Sequence, residues 1–414
     1  MKWVLLVVIS VVAAPPDAAA YSVLSHEANI DTLWDSGIRP LLVRRYPQAT
    51  ADDLLQARAY AYGGSVIQDL GYYPFGSHFF TNLTHYVRTG DFVEALIREA
   101  HDVNEFAFAL GALAHYASDN VGHPEGVNRA VALMYPKLRA RYGNSVTYAD
   151  SPATHVVVEF SFDVVQAAVG AYVLDTYRDF IGFQVAKPVL ERAFAATYGL
   201  EMKDVFLTED LAIGTYRHAI SQSIPAITRI AWRDKHEEIA KLRPGIGREK
   251  VVFTFSQREY DKLYGAQSRK PGLFARFLGV LYKLVPKIGP LRPLQFKAPT
   301  KEAEALFLES VKDTRERYRL SLDAVARGRL NFANTDFDTG KPTTRGEYAL
   351  ADETYAELLH RLVKHRPAAV PDDLRADLTA FFAATPVRAA SKKERRHAEE
   401  IQKDLVALNE GAKP

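Results

Sequence analysis

The stretch from Phe106 to Ala117 constrains the fold of this chain more than any other. Its sequence, Phe-Ala-Phe-Ala-Leu-Gly-Ala-Leu-Ala-His-Tyr-Ala, is apolar on every side when it is wound into a helix. Because a helix of this kind has no face that suits solvent, it must be buried all round. We therefore expect His115, which lies within this stretch, to sit in a protein core.

The rest of the chain predicts further helices. Apolar residues recur at spacings of three and four from residue 21 to about 240, which favours a mostly α fold. Asp91 and Ser151 are good N-cap residues ahead of two of these runs. The predicted helices cover about 92–119, 152–176, 301–328, 347–364 and 371–384, with a charged helix or a frayed tail from Ser391. The best strand candidate is the short run 250–255.

Composition excludes disordered, collagen-like and coiled-coil proteins at the scale of the whole chain. The chain has 414 residues, of which 48% are hydrophobic and 25% are charged, as in an ordinary globular protein. Its 52 Lys and Arg residues nearly balance its 50 Asp and Glu residues, so no overall field attracts nucleic acid or an anionic membrane. The absence of cysteine excludes disulfides and all thiolate chemistry.

The first twenty residues predict a cleaved secretory signal. Lys2 precedes an apolar run from Trp3 to Ala14, and small residues at 18–20 suit a signal peptidase. The run is shorter than the ~20 residues that span a bilayer. We expect a signal peptide over 1–20, a mature chain that starts at Tyr21, and a secreted or periplasmic protein. An uncleaved N-terminal anchor is the alternative.

Two His-x-x-x-acid pairs carry the chemistry. His115 and Asp119, and likewise His155 and Glu159, are spaced to share one face of a helix, so each pair can reach one cation. His123 follows Asp119 by another four residues and can face a neighbouring cation. An isolated pair of this kind is more often structural, but an ionised Asp119 beside so apolar a helix is costly without a cation or a dedicated donor. Imidazole and carboxylate ligands without thiolate suit zinc, with manganese or iron as alternatives.

Three residues nearer the N-terminus complete a larger set. They are His26, Asp69 and His85, with His78 as a competitor for the place of His85. Read along the chain, the order of these residues and of the two pairs resembles the family of secreted zinc-dependent phospholipases C and the S1/P1-type single-strand nucleases that share their fold. The resemblance covers roughly residues 21–160.

The resemblance implies three zinc ions within a multi-helix phospholipase C/P1 nuclease-like domain. It assigns to the first zinc Asp69, His85, His115 and Asp119. To the second it assigns the amino and carbonyl groups of Tyr21, with His26 and a bridging Asp119. To the third it assigns His123, His155 and Glu159. His85 is preferred to His78 because its distance from Asp69 is nearer the family's gap. The implied domain covers 21–243, and a mostly helical C-terminal region follows over 244–414.

The implied chemistry is metal-assisted phosphoester hydrolysis. Three divalent cations leave a positive pocket that favours a phosphodiester, and a water bridging two zinc ions loses its proton near neutral pH. We expect that hydroxide to attack phosphorus, Asp69 to accept a proton from the water, and the third zinc to stabilise the leaving alkoxide.

The choice of substrate depends on a basic amphipathic segment over 272–288. Its apolar residues lie on one side of a helix, and Arg276, Lys283 and Lys287 lie opposite. Such a segment is compatible with an anionic lipid surface, although it also fits a packed helix with a solvated face. We therefore predict cleavage of phospholipid head groups. The alternatives are a nuclease or nucleotidase of the same fold, or an exported protein with structural zinc only.

Overall fold

The computed structural model describes residues 23–168, 183–220, 296–365, 370–384 and 392–410. Within these ranges the secondary structure is helical apart from one isolated bridge between Thr335 and Pro342, which confirms the predicted mostly α fold.

The helices up to residue 220 are α1 Val23–Leu33, α2 Arg39–Arg45, α3 Ala51–Gly64, α4 His78–Tyr86, α5 Thr89–Arg98, α6 Val103–Val121, α7 Asn128–Met134, α8 Pro136–Tyr142, α9 Pro152–Ala168, α10 Lys187–Tyr198 and α11 Glu209–His218. Those after residue 296 are α12 Lys301–Ala326, α13 Ala349–His365, α14 Asp372–Ala383 and α15 Lys392–Glu410. Short 3₁₀ turns cover Ile67–Tyr72 and Met202–Asp204, and π-helical turns cover Trp34–Ile38 and Gly122–Val127.

The prediction of one helix over 92–119 is wrong, because the structure has two helices there, α5 and α6. The capping residue is Asp102, whose carboxylate accepts hydrogen bonds from the amides of Asn104 and Glu105 and so starts α6. Asp91 instead lies inside α5, where its carboxylate accepts a hydrogen bond from Arg88. Apolar periodicity continues on both sides of the turn between α5 and α6, so the sequence pattern did not reveal that the helix is interrupted there.

The other predicted helices agree with the structure to within about two residues at each described end. Helices α12, α13 and α14 match the three predicted after residue 300. Helix α9 begins where predicted and is described as far as Ala168. The charged C-terminal stretch is helical as α15.

Helix α6 is buried as its sequence predicts, with every residue from Phe106 to Ala117 in the core. It crosses α3 at very short range. A Cβ on Gly111 would lie 2.1 Å from the carbonyl oxygen of Ala61, and a Cβ on Gly64 would lie 2.1 Å from that of Phe108. Because only glycine fits at both positions, the two backbones come close enough for the end of α3 to reach His115.

Residues from both halves of the chain share one hydrophobic core. Tyr318 and Leu322 of α12, together with Phe337 and Tyr348, pack in the same cluster as α3, α5 and α6. The Tyr318 hydroxyl donates a hydrogen bond to the carbonyl of Leu110 in the middle of α6. The C-terminal half thus forms part of the shell around the buried helix.

Several predictions concern residues outside the described ranges. These are the signal peptide over 1–20, Tyr21, the domain boundary near 243, the strand over 250–255 and the segment 272–288. In the described part of the chain, no helix combines the length and apolar character needed to cross a membrane.

Candidate metal centre

Six elements converge on one buried cluster of imidazoles and carboxylates. The contributing residues are His26 on α1, Asp69 on the 3₁₀ turn Ile67–Tyr72, His85 on α4, His115 and Asp119 on α6, His123 on the π-helical turn that follows, and His155 and Glu159 on α9. All eight side chains are at most 3% exposed. The structure therefore brings together every predicted site residue that it describes.

Backbone carbonyls fix the orientation of two of the imidazoles. His115 Nδ1 lies 3.0 Å from the carbonyl oxygen of Ser65, just past the end of α3, and His85 Nδ1 lies 2.9 Å from that of Thr81. Each Nδ1–H donates to its carbonyl, so each neutral ring presents an Nε2 lone pair on its other side. The two Nε2 atoms face each other at 3.4 Å. Two lone pairs at that distance repel each other unless a proton or a metal ion lies between them.

Asp119 lies at the middle of this cluster. Its Oδ2 is 3.1 Å from His115 Nε2 and 3.4 Å from His85 Nε2, and its Oδ1 is 3.5 Å from His26 Nε2. Among the described residues, neither oxygen accepts a hydrogen bond of normal geometry, although the side chain is fully buried. The two oxygens of Asp119 thus face different imidazoles, Oδ2 toward His115 and His85 and Oδ1 toward His26.

The 3₁₀ turn holds Asp69 against the same imidazoles. Gln68 anchors this turn, because its side-chain amide donates to the carbonyl of Ala112 and its backbone carbonyl accepts from the hydroxyl of Thr81. Asp69 Oδ1 lies 3.3 Å from His85 Nε2 and 3.9 Å from His115 Nε2. Neither Asp69 oxygen accepts a hydrogen bond from the described residues.

His123, His155 and Glu159 form a neighbouring group. His155 and Glu159 are one turn apart on α9, with His155 Nδ1 2.6 Å from Glu159 Oε1. The rings of His123 and His155 stack, with their centroids 5.1 Å apart. His123 reaches this position because α6 continues into a π-helical turn that starts at Gly122.

The pKa shifts of His85, Asp119 and Glu159 favour added positive charge, whereas burial lowers the pKa values of His123 and His155. Burial lowers the pKa of His85, but the nearby carboxylates of Asp119 and Asp69 outweigh this effect and raise it to about 10. Burial also acts to raise the pKa of Asp119, yet His115 and the other imidazoles hold it well below its usual value. Burial, followed by the charges of Asp119 and Asp69, raises the pKa of Glu159 well above its usual value. A metal ion supplies the charge that protons otherwise provide.

The spacing and the chemical type of the donor atoms fit zinc. Three groups have donor atoms within 4.8 Å of one another, namely His26–Asp69–His115, His85–His115–Asp119 and His123–His155–Glu159. Buried carboxylate oxygens without hydrogen-bond donors and fixed imidazole lone pairs are the ligands that zinc takes in the absence of thiolate. The structure groups Asp69 with His26 and His115, whereas the resemblance implied a set of Asp69, His85, His115 and Asp119.

The competition between His78 and His85 has a clear geometric outcome. His78 is exposed at the start of α4, where its ring packs edge-on against Tyr72 at 5.9 Å. His85 lies seven residues further along the helix and faces Asp69.

Sequence reasoning missed two residues that border the centre. Asp338 is 1% exposed and its Oδ1 lies 3.5 Å from His123 Nδ1. Burial raises the pKa of Asp338 to about 6. Asn128 Oδ1 lies 2.7 Å from His155 Nε2. The only sequence signal for Asp338 is an acid in the turn-rich run Asp336-Phe-Asp-Thr-Gly340, which is typical of an exposed loop.

Comparison with known families gives a match over part of the chain. Residues 33–207 match the model of the family described as zinc dependent phospholipase C. This range is less than half of the 414 residues, and it contains seven of the eight clustered side chains, all but His26. No curated protein and no solved structure matches the chain.

Proposed function

We propose that this chain, whose residues 33–207 match the model of the zinc-dependent phospholipase C family, cleaves the head groups of phospholipids at the buried imidazole–carboxylate centre. The observation that carries the proposal is the convergence of His85 Nε2, His115 Nε2 and the Asp119 carboxylate, three buried donor groups within 3.4 Å of one another. A family of zinc-dependent hydrolases and a set of zinc-type donors thus point to the same residues.

The proposed centre holds about three zinc ions. Bound zinc supplies a Lewis acid for the phosphoryl oxygens and lowers the pKa of a bound water. Ser65 and Thr81 hold the rings of His115 and His85, while Asp119 joins the ligand sets of two ions. Asp69 is the general base of this proposal, since its oxygens have no hydrogen-bond donor among the described residues and can take a proton from the attacking water.

Two tyrosine side chains border the centre. The ring of Tyr72 lies 6.2 Å from His85 and 6.3 Å from Tyr148, and Tyr148 lies 6.1 Å from His155. Tyr148 is only partly buried. The nearby Phe79 and Phe80 on α4 are buried in the core and cannot contact a substrate in this way. We propose that Tyr72 and Tyr148 form the side of the centre from which a substrate enters.

The cellular setting is also a proposal, which rests on the sequence. Residues 1–20 are proposed to direct export and to be removed, giving a secreted or periplasmic enzyme. The basic amphipathic segment 272–288 is proposed to contact the lipid surface.

The test compares two substrates on the zinc-loaded full chain. Release of diacylglycerol from phospholipid vesicles is measured beside release of nucleotides from single-stranded DNA. We expect diacylglycerol, and we expect His115→Ala to lower its rate by at least about a thousandfold because His115 belongs to two donor groups. The matched control is His101→Ala, which removes an exposed imidazole outside the cluster and should keep full activity.

Two outcomes contradict the proposal. Nucleotide release without diacylglycerol would make the nuclease alternative the correct function. Full vesicle activity in His115→Ala would place the active site elsewhere. Charge reversal at Arg276, Lys283 and Lys287 tests the membrane contact separately, since it should lower activity on vesicles and spare soluble phosphodiesters.

A further inference from the structure

A segment from the C-terminal half folds directly onto the metal centre. Residues 332–343, here called the 332–343 loop, lie outside the family match of 33–207. Asn334 Oδ1 accepts hydrogen bonds from the amides of Gly90 and Asp91 at the start of α5. Thr335 exchanges two hydrogen bonds with the hydroxyl of Thr89, one through its amide and one through its carbonyl. These bonds fix the loop to the matched region at its base.

The tip of the loop contacts the imidazoles themselves. The amide of Phe337 donates to the backbone carbonyl of His85. The Phe337 ring packs 5.1 Å from the ring of His85 and 6.1 Å from that of His115. Since Phe337 is fully buried, the loop seals this side of the centre from solvent.

Asp338 is held in a fixed orientation beside His123. Its Oδ2 accepts hydrogen bonds from the hydroxyls of Tyr86 and Tyr348. Its Oδ1 is turned toward His123 Nδ1, which makes no hydrogen bond with any described residue. An anchored carboxylate oxygen and a buried imidazole nitrogen without a hydrogen-bond partner among the described residues therefore face each other.

The backbone of the same residue restrains a second imidazole. The carbonyl of Asp338 accepts a hydrogen bond of 2.7 Å from the side-chain amide of Asn128. That bond directs Asn128 Oδ1 toward His155 Nε2, so Nε2 carries the proton and donates to it. His155 Nδ1 then faces Glu159 and would be the atom that binds a metal ion.

We infer that Asp338 is a positioning residue for the His123–His155–Glu159 group. Its carboxylate orients His123 directly, and its carbonyl orients His155 through Asn128. Carboxylates and carbonyls that hold metal-binding imidazoles in this way commonly change metal affinity by 10- to 100-fold. The inference assigns the 332–343 loop a role in the centre, and it rests on the proposed metal binding but not on the choice of substrate.

The experiment is a zinc titration of the metal-free full chain and of Asp338→Asn, with a chromophoric chelator as competitor. We expect the variant to bind one ion about 10- to 100-fold more weakly and the others as the parent chain does. Cobalt(II) substitution gives a second readout, because a changed imidazole orientation alters the visible absorption of one ion. Circular dichroism checks that the variant is folded.

The matched control is Asp336→Asn, two residues away in the same loop. Asp336 is also buried, but its carboxylate accepts from the amide and hydroxyl of Thr339. An equal loss of affinity in both variants would overturn the inference, since the effect would then come from the loop's fold. Parent-like affinity and cobalt spectrum in Asp338→Asn would overturn it as well, and a loss above a thousandfold would make Asp338 a ligand instead.

A gentler variant covers the case in which Asp338→Asn does not fold. Tyr348→Phe removes one of the two hydroxyls that anchor Asp338 Oδ2 and keeps the ring in place. We expect a smaller loss of affinity for the same ion, and no loss would overturn the inference. A chain that binds zinc but leaves phospholipid intact would refute the proposed function alone.

Discussion

Replacing Asp119 with asparagine is the most informative single change at this centre. The carboxylate lies 3.1 to 3.5 Å from the Nε2 atoms of three imidazoles, and we propose that it bridges two cations. Asparagine keeps the shape and one carbonyl oxygen but removes the charge. Both ions should therefore bind more weakly, whereas loss of a ligand from one group should affect one ion.

The magnitude follows from the linkage between binding and folding. Loss of a supporting group weakens zinc binding by up to about a hundredfold, and loss of a direct anionic ligand should do at least that. At a fixed free zinc concentration above the dissociation constant, a hundredfold change corresponds to about 2.7 kcal/mol of folding free energy. Two affected ions give about 5 kcal/mol, or a fall in Tm of about 6 °C for a chain of this size.

The assay measures Tm and bound zinc for the parent chain and for Asp119→Asn, both in zinc and in chelator. The variant should lose most of the zinc-dependent rise in Tm and about two of three ions. Asp102→Asn is the control on the same helix, because asparagine caps a helix as well as aspartate does and Asp102 lies at the far end of α6. A variant that keeps the parent's zinc content and zinc-dependent Tm would refute the reasoning.

Two further predictions concern the chain end and acid stability. A chain that begins at Ala20 should carry one zinc fewer than a chain that begins at Tyr21, because extension converts a free amine into an amide, which is a poor ligand; equal zinc content would remove Tyr21 from the site. In metal-free protein, burial lowers the pKa of His155 to about 4, below its ordinary value of 6.5. The unfolded chain then binds more protons at His155, so this residue alone contributes a fall of about 3 kcal/mol in the free energy of unfolding as the pH drops from 6.5 to 4. His155→Gln removes that contribution, and an unchanged pH dependence of the urea midpoint in this variant would contradict the prediction.

The comparison of His78 with His85 shows a choice of ligand that sequence patterns cannot make. The two residues are seven apart, which returns a helix to nearly the same face but moves about 10 Å along its axis. Helical periodicity cannot choose between them. The position of α4 against the 3₁₀ turn decides, since it places His85 beside Asp69 and leaves His78 exposed.

The local part of the centre was predictable because its spacing is fixed by the helix itself. An apolar stretch with no polar face requires burial, so His115 and Asp119 had to share a buried face of α6. The same rule placed His155 and Glu159 together on α9. The order of the remaining ligand types then carried the resemblance to a zinc-dependent family, and residues 33–207 match that family.

Only the tertiary structure decided what surrounds those residues. The carbonyl of Ser65 orients His115 because two glycines let α3 approach α6, and no sequence pattern records a backbone acceptor. Asp338 lies beside His123 although the two residues are 215 positions apart, and its loop has a sequence typical of an exposed turn. The sequence by itself determined the contacts within one helix, where geometry is set by 3.6 residues per turn. Contacts between distant segments depend on how the whole chain packs, and they appear only when the fold is known.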